Sequence, residues 1–384
     1  MKPSPDRRVL HIIHGLTVGG AEMDLVNKSI ALVRRYGYHI TICCLMRAGE
    51  LAPRAQAAGV GVIGPLMRHR YDALAGRQLR RLLLAEPWSL VHTHLFAANL
   101  VAGATLMTLP PTRRPPFIAA EHAMAERWGR WTFVYRWLQR SAAFILVPSR
   151  ASAASYVAHG IGEDRIEVVP NGIDVQDFDR VDRASARIQI RRRLHIPPDA
   201  HLVGTVCRLQ AVKGLPILLK AVERMPVHLV IAGDGPERAS LASLIQARRL
   251  GDRVQLLGSC LEVPELLAAL DVFALPSTSE SFGIAVAESL LVGTPVVATN
   301  VGGIPEVTGG GRYARLVPPG DPTALAQGIQ WMIDHLEEAQ AQARQGRAFV
   351  QRAFSLEVVV EQQHATYDRL LAHGNCKHVQ GYVG

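Results

Sequence analysis

The chain has 384 residues, 48% of them hydrophobic and 20% charged, which suits two or three globular domains with sizeable cores. No apolar run reaches the roughly 18 to 20 residues a bilayer-spanning helix needs. The start, Met1-Lys-Pro-Ser-Pro-Asp-Arg-Arg, leads straight into a short strand and not into a signal-peptide core, so a cytoplasmic protein is expected. A formal net charge of +9 and a pI near 9.6 point to anionic partners, whether nucleotide diphosphates, anionic lipid or nucleic acid. Cys43, Cys44, Cys207, Cys260 and Cys376 lack metal-ligand spacing and read as reduced, mostly core thiols.

Strand-like apolar runs alternate with helical patterns along the chain. Val9 to His14 reads as a strand, Ala21 to Tyr36 as a helix, His39 to Leu45 as a strand and Leu51 to Ala58 as a helix. Leu90 to His94 and Phe117 to Ala120 read as further strands. A second series follows at His201 to Val206, Val227 to Ala232, Val254 to Leu257, Val272 to Leu275 and Val296 to Thr299. This rhythm predicts an α/β fold of two doubly wound parallel-sheet domains, with a ligand crevice between their strand ends. The expected division is 1–178 for the first domain, 179–200 for a linker with one short basic helix, and 201–354 for the second domain. The segment 355–372 reads as a terminal helix and 373–384 as a loose tail.

Candidate chemistry collects just after the strands. His14-Gly15-Leu-Thr-Val-Gly19-Gly20-Ala21-Glu22 joins strand to helix with three glycines and aims a helix N-terminus at a ligand, although a tight turn without a ligand explains it equally well. The spacing does not fit the dinucleotide fingerprint G-x-G-x-x-G, and the next strand ends in Leu45-Met46-Arg47, where a nicotinamide enzyme would want an acid for the ribose. His92 and His94 share a face of one strand but have no neighbouring carboxylate or cysteine, so no metal is expected there. His122 directly follows the next strand. An imidazole at that point, neutral or protonated, suits contact with a sugar hydroxyl or polarisation of a leaving group, and a structural histidine fits the local pattern as well.

Arg208 and Lys213 flank a turn after the second domain's first strand, so a guanidinium fork and an ammonium could together neutralise a diphosphate without a metal. In Pro276-Ser-Thr-Ser-Glu280-Ser-Phe-Gly283-Ile-Ala-Val-Ala-Glu288, two carboxylates lie eight residues apart around a helix start. Taken alone, the segment reads more simply as Glu280 capping the helix and Glu288 exposed on it. Beside Arg208 and Lys213 it reads as a ligand wall, with the amides of Ser281, Phe282, Gly283 and Ile284 available to polar oxygens.

Six segments in order resemble the retaining nucleotide-sugar glycosyltransferases of family four, over roughly residues 9 to 372. They are Gly19-Gly20-Ala21-Glu22, Val147-Pro148-Ser149, Val168-Val-Pro-Asn171-Gly172-Ile-Asp174, Arg208 with Lys213-Gly214, Ile231-Ala-Gly233-Asp234-Gly235-Pro236, and Glu280-Ser-Phe-Gly with Glu288. The resemblance implies the GT-B architecture: two Rossmann-like domains facing a cleft, and a C-terminal helix, here Ser355 to Ala372, crossing back to the first. It implies that Arg208 and Lys213 bind the donor diphosphate, Glu288 the ribose and Glu280 the donor sugar. His122 would face the sugar, Gly19 and Gly20 would form the loop near phosphate and acceptor, and Cys260 would join the donor-binding set. Asn171 would organise a hinge turn. Cys207 and Ser281 stand where many members have glycine, and neither change removes a charge.

No cofactor and no nucleic acid are expected. Negative charge developing on the leaving diphosphate would be met by two fixed cations and a helix N-terminus, and the resemblance suggests front-face substitution without an enzymic nucleophile. Arg127 to Arg140 reads as a basic aromatic helix, with Phe133 and Trp137 among Arg130, Arg136 and Arg140. That face suggests docking on the inner surface of the plasma membrane and a lipid-linked acceptor; a solvated basic helix beside a soluble acceptor is the plainer reading. A nucleotide-sugar 2-epimerase on the same fold, or a non-catalytic membrane- or anion-binding protein, are the competing functions.

Overall fold

The computed structural model describes residues 7–374 except 68–71, 73, 132, 134, 135, 138–140 and 261, and only the backbone of 128, 130, 131, 373 and 374. The chain divides into two compact units: unit 1 is Met1–Gly172 with Leu356–Gly384, and unit 2 is Ile173–Ser355.

Unit 1 holds a seven-stranded parallel sheet in the order β3-β2-β1-β4-β5-β6-β7. Its strands are β1 (Arg8–Gly15), β2 (His39–Arg47), β3 (Gly61–Ile63), β4 (Leu90–His94), β5 (Phe117–Ala120), β6 (Phe144–Val147) and β7 (Ile166–Val168). The strand order reverses between β1 and β4, the switch point where loops part and a ligand can enter above the strand ends. Both sheet faces are covered, which is why the strands are apolar without interruption. Val9 and Ile13 face one cluster, whereas Leu10 and Ile12 face the other.

Helix α1 (Gly20–Tyr36) covers the first of these faces. It ends on Gly37, whose left-handed φ of 67° lets its amide reach back to the carbonyls of Leu32 and Val33. Helices α2 (Ala52–Ala57), α3 (Leu74–Ala85), α4 (Phe96–Met107) and α5 (Arg150–Ala158) complete the first part of the unit. Ser149 caps α5 by accepting the amide hydrogen bond of Ser152, so the Val147-Pro148-Ser149 segment is a strand end and a helix start.

Unit 2 repeats the pattern with six parallel strands in the order β10-β9-β8-β11-β12-β13. They are β8 (His201–Val206), β9 (Val227–Ala232), β10 (Val254–Gly258), β11 (Val272–Leu275), β12 (Val296–Thr299) and β13 (Arg315–Val317). Its switch point lies between β8 and β11, and alternate residues of β11 again feed opposite clusters, Phe273 and Leu275 against Val272 and Ala274. The helices are α6 (Val175–Asp179), α7 (Arg183–Arg193), α8 (Leu215–Val222), α9 (Arg238–Ala247), α10 (Val263–Ala269), α11 (Ile284–Leu291), α12 (Ile304–Val307), α13 (Pro322–Asp334) and α14 (Leu336–Phe354). The basic helix α7 is tied down by Asp271, whose carboxylate accepts from Arg187, Arg191 and the Leu202 amide at 2.6 to 2.8 Å.

The terminal helix α15 (Leu356–Gly374) belongs to unit 1, where Val359, Val360 and Tyr367 are fully buried against the face that α1 also covers. The expected tail beyond it, from 375, lies outside the described residues.

One expected element is corrected. Residues 127–140 do not begin as one α-helix: Ala125–Trp131 forms 3-10 turns broken at Gly129, where φ 46° and ψ −123° leave the helical region altogether. A glycine without Cβ takes that conformation at little steric cost. A helical wheel across that break therefore does not describe the segment. Phe133 is 60% exposed and Arg136 is exposed, while Trp137 packs on an apolar cluster of unit 1. The side chains of Arg130 and Arg140 are outside the described set.

Candidate functional site

In unit 2, β8 and β11 are neighbours, so the loops leaving their carboxyl ends meet at the switch point. After β8 the chain passes Cys207 and Arg208, makes a 3-10 turn over Ala211–Lys213, and starts α8 from Gly214. Gly214 has φ 64°, and a Cβ there would lie 2.1 Å from the carbonyl oxygen of Pro276, so glycine is what allows the two loops to touch. The contact brings Lys213 to Glu280: their side chains form an ion pair, with only 19% and 12% of each exposed. Ser277 donates a 3.4 Å hydrogen bond to the same Glu280 oxygen.

The backbone of Glu280 is held as firmly as its side chain. Its carbonyl accepts from the amide of Gly303 at 3.0 Å, and a Cβ on Gly302 would stand only 1.7 Å from that oxygen. Phe282 is 2% exposed and meets Phe354 edge-on at 5.2 Å. Gly283, at φ 101°, sits at the N-cap of α11, and no side chain caps that helix. Glu280 is thus not the helix cap that the segment alone suggests. Its charge is committed to Lys213, and the first-turn amides of α11 keep the positive end of the helix available.

Glu288, one turn into α11, is partly buried and not an exposed helical carboxylate. Burial pushes its pKa up to about 7, because the surrounding apolar atoms do not solvate the charged form. Arg208 is exposed at the end of β8. Cys260 follows β10, two strands away from β8, and burial raises its thiol pKa; Glu262, Glu265 and Arg193 are the charges around it.

In unit 1, Gly19 is the N-cap of α1 with φ −169°, an extended backbone that any residue adopts, and no side chain caps the helix. Gly20 opens its first turn. His122 follows β5 and is partly buried. Burial pushes its pKa down to about 4; the positive charge of Lys28 adds to that, whereas Asp24 and Asn171 act in the opposite direction. Of the two protonation states left open by the sequence, the neutral imidazole is the one this environment holds at neutral pH.

Two residues that no sequence pattern singled out organise this region. Asp24 and Lys28 form a buried ion pair at 2.8 Å, one helical turn apart on α1. Lys28 donates to the Pro170 carbonyl at 2.8 Å, and Asp24 accepts from the Gly172 amide at 2.7 Å, which fixes the Pro170-Asn171-Gly172 turn. Their i, i+4 spacing on the apolar side of α1 was the available signal. Glu121 is 1% exposed and accepts from Asn99, which in turn accepts from Thr93. Leu95, just after β4, takes φ 72°, a strained value for leucine, at the same edge.

Two doubly wound parallel sheets, each carrying polar and charged side chains at the carboxyl ends beside its switch point, define the class: a GT-B glycosyltransferase. The family follows from the chain itself. Residues 18–177 match the Glycosyltransferase Family 4 model and residues 186–349 match Glycosyl transferases group 1. The chain belongs to this family of retaining glycosyltransferases, which use nucleotide-sugar donors.

It is 27% identical over 340 residues to 2-deoxystreptamine glucosyltransferase of Streptomyces kanamyceticus, covering 83% of this chain and 87% of that one. It is 34% identical over 233 residues to D-inositol 3-phosphate glycosyltransferase of Mycobacterium tuberculosis, covering 57% of this chain and 47%, about half, of the relative. Among solved structures, Anabaena HepE in complex with UDP-glucose shares the fold with a TM-score of 0.83 at 23% identity, over 94% of this chain and 99% of that one. Sucrose-phosphate synthase of Thermosynechococcus elongatus does so with 0.81 at 22% identity, over 96% and 100%.

Proposed function

We propose that this glycosyltransferase moves a hexose or N-acetylhexosamine from a UDP-sugar to a hydroxyl acceptor, with Lys213 and Arg208 taking the charge of the departing diphosphate in place of a metal. The observation that carries this reading is the Lys213–Glu280 ion pair at the β8/β11 switch point, beside the uncapped start of α11. Each partner satisfies the other. A donor replaces the carboxylate at Lys213 with a phosphate oxygen and replaces the ammonium at Glu280 with sugar hydroxyls, so little new desolvation is required. The amides of Ser281, Phe282, Gly283 and Ile284 add dipoles already aimed at the leaving group. Glu288 accepts from the ribose hydroxyls in its ionised form. His122 contributes as a neutral imidazole, able to hydrogen-bond a sugar hydroxyl but not to act as a fixed cation. Gly19 and Gly20 leave the start of α1 uncovered for phosphate or acceptor, and Cys260 is the most peripheral of the donor set.

The choice of UDP is supported by HepE, which was solved with UDP-glucose. Binding of UDP-, GDP- and ADP-sugars, with slow hydrolysis of each, tests it: selective binding of a UDP-sugar that is lost in Lys213→Ala is expected. Equal binding by that variant overturns the assignment, and acceptor-independent epimerisation of the donor favours the epimerase instead.

For the acceptor, a lipid-linked or cell-surface glycan precursor is supported by exposed Phe133 and Arg136 on unit 1. None of the helices among the described residues is long and apolar enough to cross a membrane, so attachment there would be peripheral. Two relatives favour a second reading, since their names give cyclitol acceptors, 2-deoxystreptamine and D-inositol 3-phosphate. Co-sedimentation with anionic vesicles separates the two. Salt-sensitive binding that is lost in Phe133→Ser supports the lipid-linked acceptor, and no binding leaves the small polyol.

A further inference from the structure

Three histidines meet inside unit 1 where an apolar core is expected. His11 on β1 and His92 on β4 are directly paired across the two strands, and His94 follows two residues along on the same face. His11 is 0%, His92 2% and His94 5% exposed. Their ring centroids are 4.3 to 5.1 Å apart, and one nitrogen from each ring lies within 4.8 Å of one from each of the others.

The protons of this cluster cannot all be placed. His11 Nδ1 and His94 Nε2 share one hydrogen bond of 2.9 Å, and His92 Nδ1 meets the Tyr367 hydroxyl at 2.6 Å. That hydroxyl already accepts from Gln363 at 2.7 Å, so its own proton goes to His92 Nδ1 and the ring proton of neutral His92 sits on Nε2. His92 Nε2 has no partner, and neither does His11 Nε2 nor His94 Nδ1. Whichever way the His11–His94 bond runs, a second buried N–H is stranded. Each such donor costs about 1–3 kcal/mol, and buried polar groups without partners call for an explanation.

We infer that His11, His92 and His94 form a binding site for a borderline divalent metal such as Zn²⁺, a structural site inside unit 1. Three imidazoles suit that ion. Nitrogens bound tetrahedrally at about 2.0–2.1 Å stand about 3.3 Å from one another, so the 2.9 Å His11–His94 contact needs to open by only a few tenths of an ångström. Coordination removes the stranded protons. With His92 Nε2 on the metal, its Nδ1–H donates to Tyr367, the outer-shell hydrogen bond that fixes a histidine ligand.

A small cavity of about 20 Å³ borders His92 and His94, enough for the water that completes the coordination. Its lining includes the carboxyl side chains of Asp24 and Glu121 against the single ammonium of Lys28, so the local charge does not repel a cation. Burial also keeps the imidazoles in the neutral, ligating form, with His11 pushed down to about 3. The ion is remote from the task given to Lys213 and Arg208, and it would fasten α15 to β4 through Tyr367.

The test is uptake of Co²⁺ by the chelator-treated full chain. One equivalent is expected to give the intense visible absorption of a tetrahedral cobalt site, to be displaced by Zn²⁺, and to vanish in His11→Gln and His94→Gln. Tyr367→Phe should weaken uptake about 10- to 100-fold. Should the histidine variants fail to fold, X-ray absorption on the zinc-loaded parent chain decides, with three imidazole nitrogens in the first coordination shell expected. No stoichiometric uptake, uptake that persists in folded His11→Gln, or a shell with thiolate or fewer than three imidazoles overturns the inference.

Discussion

Replacing Glu288 by glutamine should make the protein more stable and a poorer binder of its donor. In the folded chain the Glu288 carboxyl titrates at about 7, against a model value of 4.5. The folded state therefore holds a proton that the unfolded state has released between those two values. The sign follows from proton linkage: stability falls as pH rises from about 4.5, and the full penalty is present above 7. A difference of about 2.5 units at 1.36 kcal/mol per unit gives about 3.4 kcal/mol. Because part of the side chain reaches solvent, about 2–3 kcal/mol is the expected value. Glutamine keeps the shape and carries no charge, so Glu288→Gln should match the parent chain near pH 4.5 and exceed it by that amount at pH 8, read by urea unfolding across the range.

Donor binding should move the other way. Losing a charged acceptor for the ribose hydroxyls costs about 1.5–3 kcal/mol, or roughly 10- to 100-fold in UDP affinity by calorimetry. The parent chain should also bind UDP more tightly as pH rises through 7, and the variant should not. A variant no more stable than the parent at pH 8, or one that binds UDP with unchanged affinity and pH dependence, would refute both the buried carboxyl and its assigned role.

Lys213→Ala should lower kcat/KM about 10²- to 10³-fold, the usual cost of removing one stabiliser of developing negative charge, while circular dichroism remains that of the parent; activity within a few-fold would remove lysine from the mechanism. Gly302→Ala forces a Cβ against the Glu280 carbonyl at a residue with φ 52°, so a loss of about 1–3 kcal/mol in stability and weaker UDP binding are expected together. Asp24→Asn leaves the Lys28 ammonium buried without its partner and should cost about 3–5 kcal/mol, measured by urea unfolding. The double change Asp24→Leu, Lys28→Met should recover most of that loss, and its failure to do so would show that the pair is needed for its hydrogen bonds to the Pro170–Gly172 turn.

Much of the candidate site was legible because function residues follow strands. Arg208, Lys213 and Glu280 were placed at one sheet edge from their positions after apolar runs, and β8 and β11 proved to be neighbours. The short edge strands β3 and β13, of three residues each, carry too little pattern to read. The 127–140 segment misled for a different reason: its aromatic and basic spacing fits a helical wheel, but Gly129 breaks the backbone before the wheel can apply.

What the sequence determined by itself was the two-sheet architecture and the family. Unbroken apolar strands require covered faces, and six ordered motifs leave little freedom in the loops above them. The tertiary structure alone decided which distant residues share an environment. Lys213 reaches Glu280 across 67 positions, and His11 faces His92 because β4 follows three other strands in sequence yet pairs with β1 in space. Parallel strands joined by helical crossovers can be neighbours in any order the connections allow, and local patterns do not encode that order. For the same reason a histidine that looks like one more residue of an apolar strand becomes, beside two others, a cluster with protons to place.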